Sequence, residues 1–153
     1  VDSIYSIFSQ WDWTNHALML EVTESAMMTD VTRVKTTMAQ IANTGLAFSI
    51  DDFGTGYSSL ALLRDLPVNQ IKIDRSFVSN ILKSEDDLAI VKSTIYLAKN
   101  LGYNIVAEGV EDAQTGQLLK SLGCDHAQGY YYSKPLKIES FIEFAKSHRT
   151  VTQ

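Results

Sequence analysis

The run Leu46-Ala47-Phe48-Ser49-Ile50-Asp51-Asp52-Phe53-Gly54-Thr55-Gly56 is an apolar strand that ends on two adjacent carboxylates and opens into a glycine-punctuated loop. Two like charges at the end of an apolar run repel each other unless a cation sits between them. Asp51 and Asp52 are therefore read as metal ligands, and Gly54, Thr55 and Gly56 as a loop whose backbone can approach a ligand. Leu20-Glu21-Val22-Thr23-Glu24-Ser25 places two glutamates three apart at a strand end. Glu21 and Glu24 either reach into a site and onto a neighbouring loop, or form an ordinary capping cluster. Lys72 lies within Ile71-Lys72-Ile73-Asp74, where a buried lysine is costly unless paired. It either makes a structural salt bridge with Asp74 or Glu108, or stabilises a phosphate or leaving oxygen beside the metals.

Ala107-Glu108-Gly109-Val110-Glu111 repeats the theme of a carboxylate at a strand end beside a glycine, with Glu111 placed to charge a helix N-terminus. Ala127-Gln128-Gly129-Tyr130-Tyr131-Tyr132-Ser133-Lys134-Pro135 ends another strand on a neutral amide and continues into three tyrosines, which either pack or stack on a base. His16, His126 and His148 show no metal-ligand spacing. Carboxylates without His or Cys are hard oxygen ligands that suit Mg²⁺ or Mn²⁺. Paired acids plus a lysine fit a two-metal site hydrolysing a phosphodiester.

These residues must be positioned by alternating strands and helices. Residues 4 to 11 read as a short amphipathic helix, and Ala17 to Val22 as a buried strand. Asp30 caps a helix to about Asn43 with Gly45 as its stop; strand 46 to 51, helix Ser58 to Asp65 closed by Pro67, and strand 70 to 74 follow. Glu85-Asp86-Asp87 opens the longest helix, which Gly102 ends, and Tyr103 to Ala107 is the fourth strand. Asp112 caps a helix to Leu122, Gly123 stops it, Cys124 to Gln128 is the fifth strand, and 138 to 148 is a final amphipathic helix. The fold class is α/β. Glu21, Asp51, Lys72, Glu108 and Gln128 all stand at strand C-terminal ends, which converge on one face in a (β/α) barrel but only at the switch point of an open sheet. The expectation is an incomplete TIM-like barrel, about the last five βα units, since a complete one needs about 250 residues.

The 153 residues, 45% hydrophobic and 20% charged, can bury one core. Eighteen acidic against 13 basic residues give a net charge of -5, the wrong sign for gripping a nucleic-acid polymer, so a phosphate-bearing ligand needs metal. A lone cysteine, Cys124, excludes an intrachain disulfide, and a reduced, cytoplasmic setting is the default. No apolar run approaches a membrane span, so no membrane contact is expected from this segment. The first residue is not Met, which hints at a start within a longer protein whose upstream part could carry an anchor.

In order, the Glu-Val-Thr-Glu-Ser, Asp-Asp-Phe-Gly-Thr-Gly-Tyr-Ser-Ser-Leu, Ile-Lys-Ile-Asp, Ala-Glu-Gly-Val-Glu and Gln-Gly-Tyr segments closely resemble the EAL-domain family of cyclic di-GMP phosphodiesterases. The resemblance spans about residues 15 to 145 and makes residues 1–153 the C-terminal part of one EAL domain. It implies a modified TIM barrel that cleaves cyclic di-GMP to linear pGpG with Mg²⁺ or Mn²⁺, and a homodimer. It further implies that Glu21, Asp51 and Asp52 bind metal, with Asp51 bridging two ions. Lys72 then orients water or phosphate, Glu108 is a general base or metal-side glutamate, and Gln128 lines the site. Glu24 anchors the loop from Asp51 to Ser59, while Asp74, Glu111 and Pro135 support. The Glu-Ala-Leu motif that names the family and the asparagine on its next strand are absent from this chain, so the resemblance implies that two metal ligands are missing. The 153 residues alone are therefore expected to show weak or no catalysis. The competing readings are a degenerate EAL module that binds cyclic di-GMP or a partner without hydrolysis, and a domain-swapped truncation.

Overall fold

The computed structural model describes Ser6, residues 18–56 and residues 60–148. Five strands and seven helices alternate within them. They are β1 (Met19–Thr23), α1 (Glu24–Met27), α2 (Val31–Ala42), β2 (Ala47–Phe53), α3 (Leu60–Asp65), β3 (Gln70–Ile73), α4 (Arg75–Val78), α5 (Glu85–Leu101), β4 (Asn104–Ala107), α6 (Ala113–Leu122), β5 (His126–Ala127) and α7 (Ile138–Ser147). No helix among the described residues is long and apolar enough to cross a membrane.

All strand pairs are parallel, and the order across the sheet is β1-β2-β3-β4-β5. A doubly wound sheet reverses its direction of growth at a switch point. Here every strand adds to the outer side of its predecessor, which is how a (β/α) barrel wall is built. The expected barrel segment is what forms.

Strand residues alternate between two faces. Phe48, Ile50, Ile71, Ile73, Ile105 and Ala107 pack in one buried cluster with Met38 and Ile41 of α2, Leu62 and Leu63 of α3, Val91 and Ile95 of α5, and Leu119 of α6. The register pairs Glu21 with Ser49, Thr23 with Asp51, and Lys72 with Val106. The polar positions therefore share the opposite, inward face, where the Gln70 side-chain amide donates to Ser49 Oγ at 3.0 Å.

Helix ends follow the expected local chemistry at Asp30, Asp112, Gly102 and Gly123, and the Ser84 cap is added to the expected acidic start of α5. Asp30, Ser84 and Asp112 accept backbone N–H groups at the starts of α2, α5 and α6, and Gly102 and Gly123 close α5 and α6 in the left-handed conformation.

Several boundaries differ from expectation. β2 continues through Asp51 and Asp52 to Phe53, because a register shift between Ile50 and Phe53 accommodates an irregular residue without ending the strand. β3 stops at Ile73, since Asp74 turns its side chain to cap α4. β5 is only His126–Ala127, shorter than Cys124 to Gln128; the Asp125 carboxylate accepts from the Ile105 N–H, and Gln128 departs into a turn. The helices α1 and α4 were not anticipated. The helix over 4 to 11 falls, Ser6 apart, outside the described residues, as do Ala17 and the expected start at Ser58.

Candidate metal and phosphodiester site

Lys72 projects from β3 onto the inward face, and its side chain is 8% exposed. Its Nζ lies 2.9 Å from Glu21 Oε1, 3.0 Å from Asp51 Oδ1 and 2.8 Å from Glu108 Oε1. Four strand ends thus meet at one ammonium, whose three N–H groups face three carboxylates. Burial alone would pull the Lys72 pKa down, but the close carboxylates of Glu108, Glu21 and Asp51 outweigh it and hold the ammonium well above its ordinary value.

Adjacent residues on a regular strand point to opposite faces, so Asp51 and Asp52 cannot both reach one site from ideal β geometry. Asp52 solves this by adopting a left-handed backbone with φ of 54°, unusual for a non-glycine residue, at the irregular step of β2. One oxygen each from Asp51, Asp52 and Glu108 then falls within 4.8 Å of the others. Asp51 Oδ1 is buried and accepts no well-aligned hydrogen bond, although the Lys72 ammonium is close. Partial burial, then repulsion from Asp51 and Asp74, raises the Asp52 pKa, with Lys72 opposing. Clustered hard oxygens, one of them lacking an aligned donor, fit a divalent cation.

Glu24 is 1% exposed although it opens α1. Its Oε2 accepts the N–H groups of Gly54 at 3.0 Å and Gly56 at 3.2 Å, tying the end of β1 to the loop after β2. A Cβ on Gly56 would approach Glu24 Oε1 to 2.9 Å, so a larger residue there would have to displace the carboxylate that holds the loop. The Thr55 hydroxyl donates to the Asp52 carbonyl at 2.8 Å. Loop and carboxylates therefore form one mechanical unit.

Other expected residues separate from this cluster. Asp74, offered as an ion-pair partner of Lys72, instead accepts from the Ser76 backbone N–H at 2.9 Å and from the Ser76 hydroxyl. Burial works to raise its pKa, and the Ser76 bonds outweigh it, leaving the carboxyl below its ordinary value. Glu111 and Gln128 line a cavity of about 190 Å³ beside Glu108, together with Arg75 and Tyr130. Pro135 lines a neighbouring cavity of about 270 Å³ with Phe141 and Phe144 of α7. Arg75, which the sequence reading did not single out, stands directly after the strand-end carboxylate Asp74 and lines the same cavity as Glu108.

The family model for the EAL domain matches residues 1–135. The chain is 40% identical over 149 residues to the cyclic di-GMP phosphodiesterase NbdA of Pseudomonas aeruginosa, covering 97% of this chain and 19% of that protein. It is 39% identical over 142 residues to the bifunctional diguanylate cyclase/cyclic di-GMP phosphodiesterase MucR of the same organism, covering 93% of this chain and 21% of that protein. The chain thus spans about a fifth of these curated relatives. Among solved structures, the EAL domain of Mycobacterium smegmatis DcpA superposes with a TM-score of 0.88 at 39% identity, over 97% of this chain and 67% of that one. The MucR phosphodiesterase in complex with c-di-GMP superposes with a TM-score of 0.82 at 38% identity, over 90% and 57%. The manganese/c-di-GMP complex of Klebsiella pneumoniae BlrP1 gives 0.71 at 36% identity, over 76% and 30%. With its motifs seated on consecutive parallel strands and the family model matching most of its length, the chain belongs to the EAL family.

Proposed function

We propose that this chain is the metal-binding part of a cyclic di-GMP phosphodiesterase, supplying the last five βα units of one EAL barrel, which hydrolyses cyclic di-GMP to linear pGpG with Mg²⁺ or Mn²⁺ in the cytoplasm. The observation that carries the reading is the convergence of Glu21, Asp51 and Glu108 on Lys72, with Asp52 at its margin. A degenerate binding module is disfavoured by the retention of every one of these groups.

Glu21, Asp51 and Asp52 are the metal ligands in this reading. They would hold a divalent cation, whose chemistry there would be to polarise a phosphoryl oxygen and to activate water. Lys72, held as an ammonium by its carboxylates, cannot serve as the proton acceptor at neutral pH, and its role is to orient the phosphate or the water. Glu108, with Oε1 fixed on Lys72, is the carboxylate positioned to accept a proton from that water. Glu24 keeps the loop over Asp52 in register.

The test is metal-dependent conversion of cyclic di-GMP to pGpG by the full protein, with Asp51→Asn as the control. A loss of at least about a hundredfold in the variant is expected, larger than the removal of an outer-shell partner produces. The 153 residues alone should be weak or inactive. Cyclic di-GMP binding without turnover by the full protein would leave a binding module instead of an enzyme.

A further inference from the structure

Asp52 and Glu108 bring oxygens to the same three-carboxylate cluster but stand two strands apart, on β2 and just after β4. Between them β3 runs into α4, a single turn of four residues. That turn is fixed to the sheet at both ends: the Asp74 carboxylate accepts the Ser76 backbone N–H at 2.9 Å, and Val78 is fully buried in the core. A capped turn with a buried anchor moves only with the close-packed sheet beneath it.

Glycines meet α4 on both flanks. On the β4 side, a Cβ on Gly109 would come within 2.6 Å of Arg75 Cβ and 3.2 Å of its Cα. On the β2 side, a Cβ on Gly54 would come within 3.1 Å of Phe77 Cε2 and 3.7 Å of its Cζ. Both glycines also hold positive φ, 72° at Gly109 and 99° at Gly54. The turn therefore fills the space between the Glu108 turn and the Asp52 loop.

The contact at Gly54 lies two residues after Asp52, whose φ of 54° persists only where its surroundings over-determine it. Glu24 binds the loop from the β1 side through the Gly54 and Gly56 N–H groups, and the Thr55 N–H donates back to the Asp52 carbonyl at 3.3 Å. These bonds draw the loop toward β1 or onto itself, and neither stops it from moving toward β3. The Phe77 ring stands on that side, partly buried and packed on the core.

Resting on the metal-binding reading above, we propose that Phe77 is a positioning residue of the metal site. Its ring edge and the stem of Arg75 are the two faces of a spacer that sets the separation between Asp52 and Glu108.

Phe77→Leu removes the ring-edge atoms that meet Gly54 and keeps an apolar stem against the core. In the metal-free full protein it should quicken hydrogen exchange at the Thr55 amide while the amides of β3 and β4 stay as protected as in the wild type. Mn²⁺ affinity measured by calorimetry should fall about 10- to 100-fold, as for other residues that orient metal ligands. Phe77→Tyr, which keeps the ring edge, should restore the wild-type affinity. Unchanged Mn²⁺ affinity in a folded Phe77→Leu protein would overturn the positioning role. A loss of affinity accompanied by equally faster exchange through β3 and β4 would overturn it too, since that marks a general loosening. A wild-type protein that binds no Mn²⁺ would overturn the metal-binding reading, and this inference with it.

Discussion

Lys72 is the residue on which the site's electrostatics turn. Removing the ammonium leaves Glu21, Asp51 and Glu108 facing one another across the inner wall, and breaking a buried pair typically costs about 3–5 kcal/mol. The lower end applies, since the Glu21 side chain is 53% exposed and water screens it. We expect Lys72→Met to lower stability to urea by about that amount at pH 7. The sign of its pH dependence follows from the raised lysine pKa. The stabilisation is fully present below the unfolded lysine value and is lost as pH rises through the folded one. The gap between wild type and variant should therefore hold at neutral pH and close as pH becomes strongly alkaline. A constant gap across that range, or none at pH 7, would show that the ammonium is not what holds the acids together. At this scale the sequence was partly legible. Asp51-Asp52 announced itself as a repelling pair, but the left-handed turn that brings both acids to one rim is a backbone property no residue type reveals. Of the two partners open to Lys72, Glu108 pairs with it and Asp74 does not, because the role of Asp74 in capping a four-residue helix depends on where β3 ends.

Elements matter here through the joints between them. Glu24 belongs to α1 yet accepts from the loop after β2, so two βα units share one carboxylate. Glu24→Ala should free the Gly54 and Gly56 amides. Hydrogen exchange at those two positions should quicken and affinity for Mn²⁺ should fall about 10- to 100-fold, as for other residues that position metal ligands. Unchanged exchange would show that the loop is held by something else. The long helices were legible because their starts are chemical: Asp30 and Asp112 accept backbone N–H groups where the apolar periodicity begins, and Glu85-Asp86-Asp87 charges the first turn of α5, whose cap, Ser84, the sequence reading did not name. The helices α1 and α4 span four residues each, too short for a 3.6-residue period to declare itself.

For the whole molecule, the decisive feature is a parallel sheet in strict chain order with, among the described residues, β1 and β5 each paired on one side only. A free strand edge invites pairing with another chain. Ile138, Phe141 and Ile142 on α7 add exposed apolar surface at 64%, 52% and 45%. The 153-residue chain should therefore self-associate with rising concentration in sedimentation experiments, and Met19→Lys, which charges the β1 edge, should shift it toward monomer. A chain that stays monomeric throughout would contradict this. The barrel was legible because five strand ends in succession carried polar groups, which only a closed wall gathers on one face. What stayed illegible was register, and with it that Glu21 and Asp51 join Glu108 on Lys72, since pairing across strands is decided by non-local packing. The same chain order bears on how the molecule is made. Each strand hydrogen-bonds to the one synthesised just before it, so every βα unit can dock as it leaves the ribosome without waiting for a distant partner. The acidic cluster is assembled in that order too, Glu21 first and Glu108 last, so the repulsion among Glu21, Asp51 and Asp52 arises before β3 delivers the lysine that relieves it.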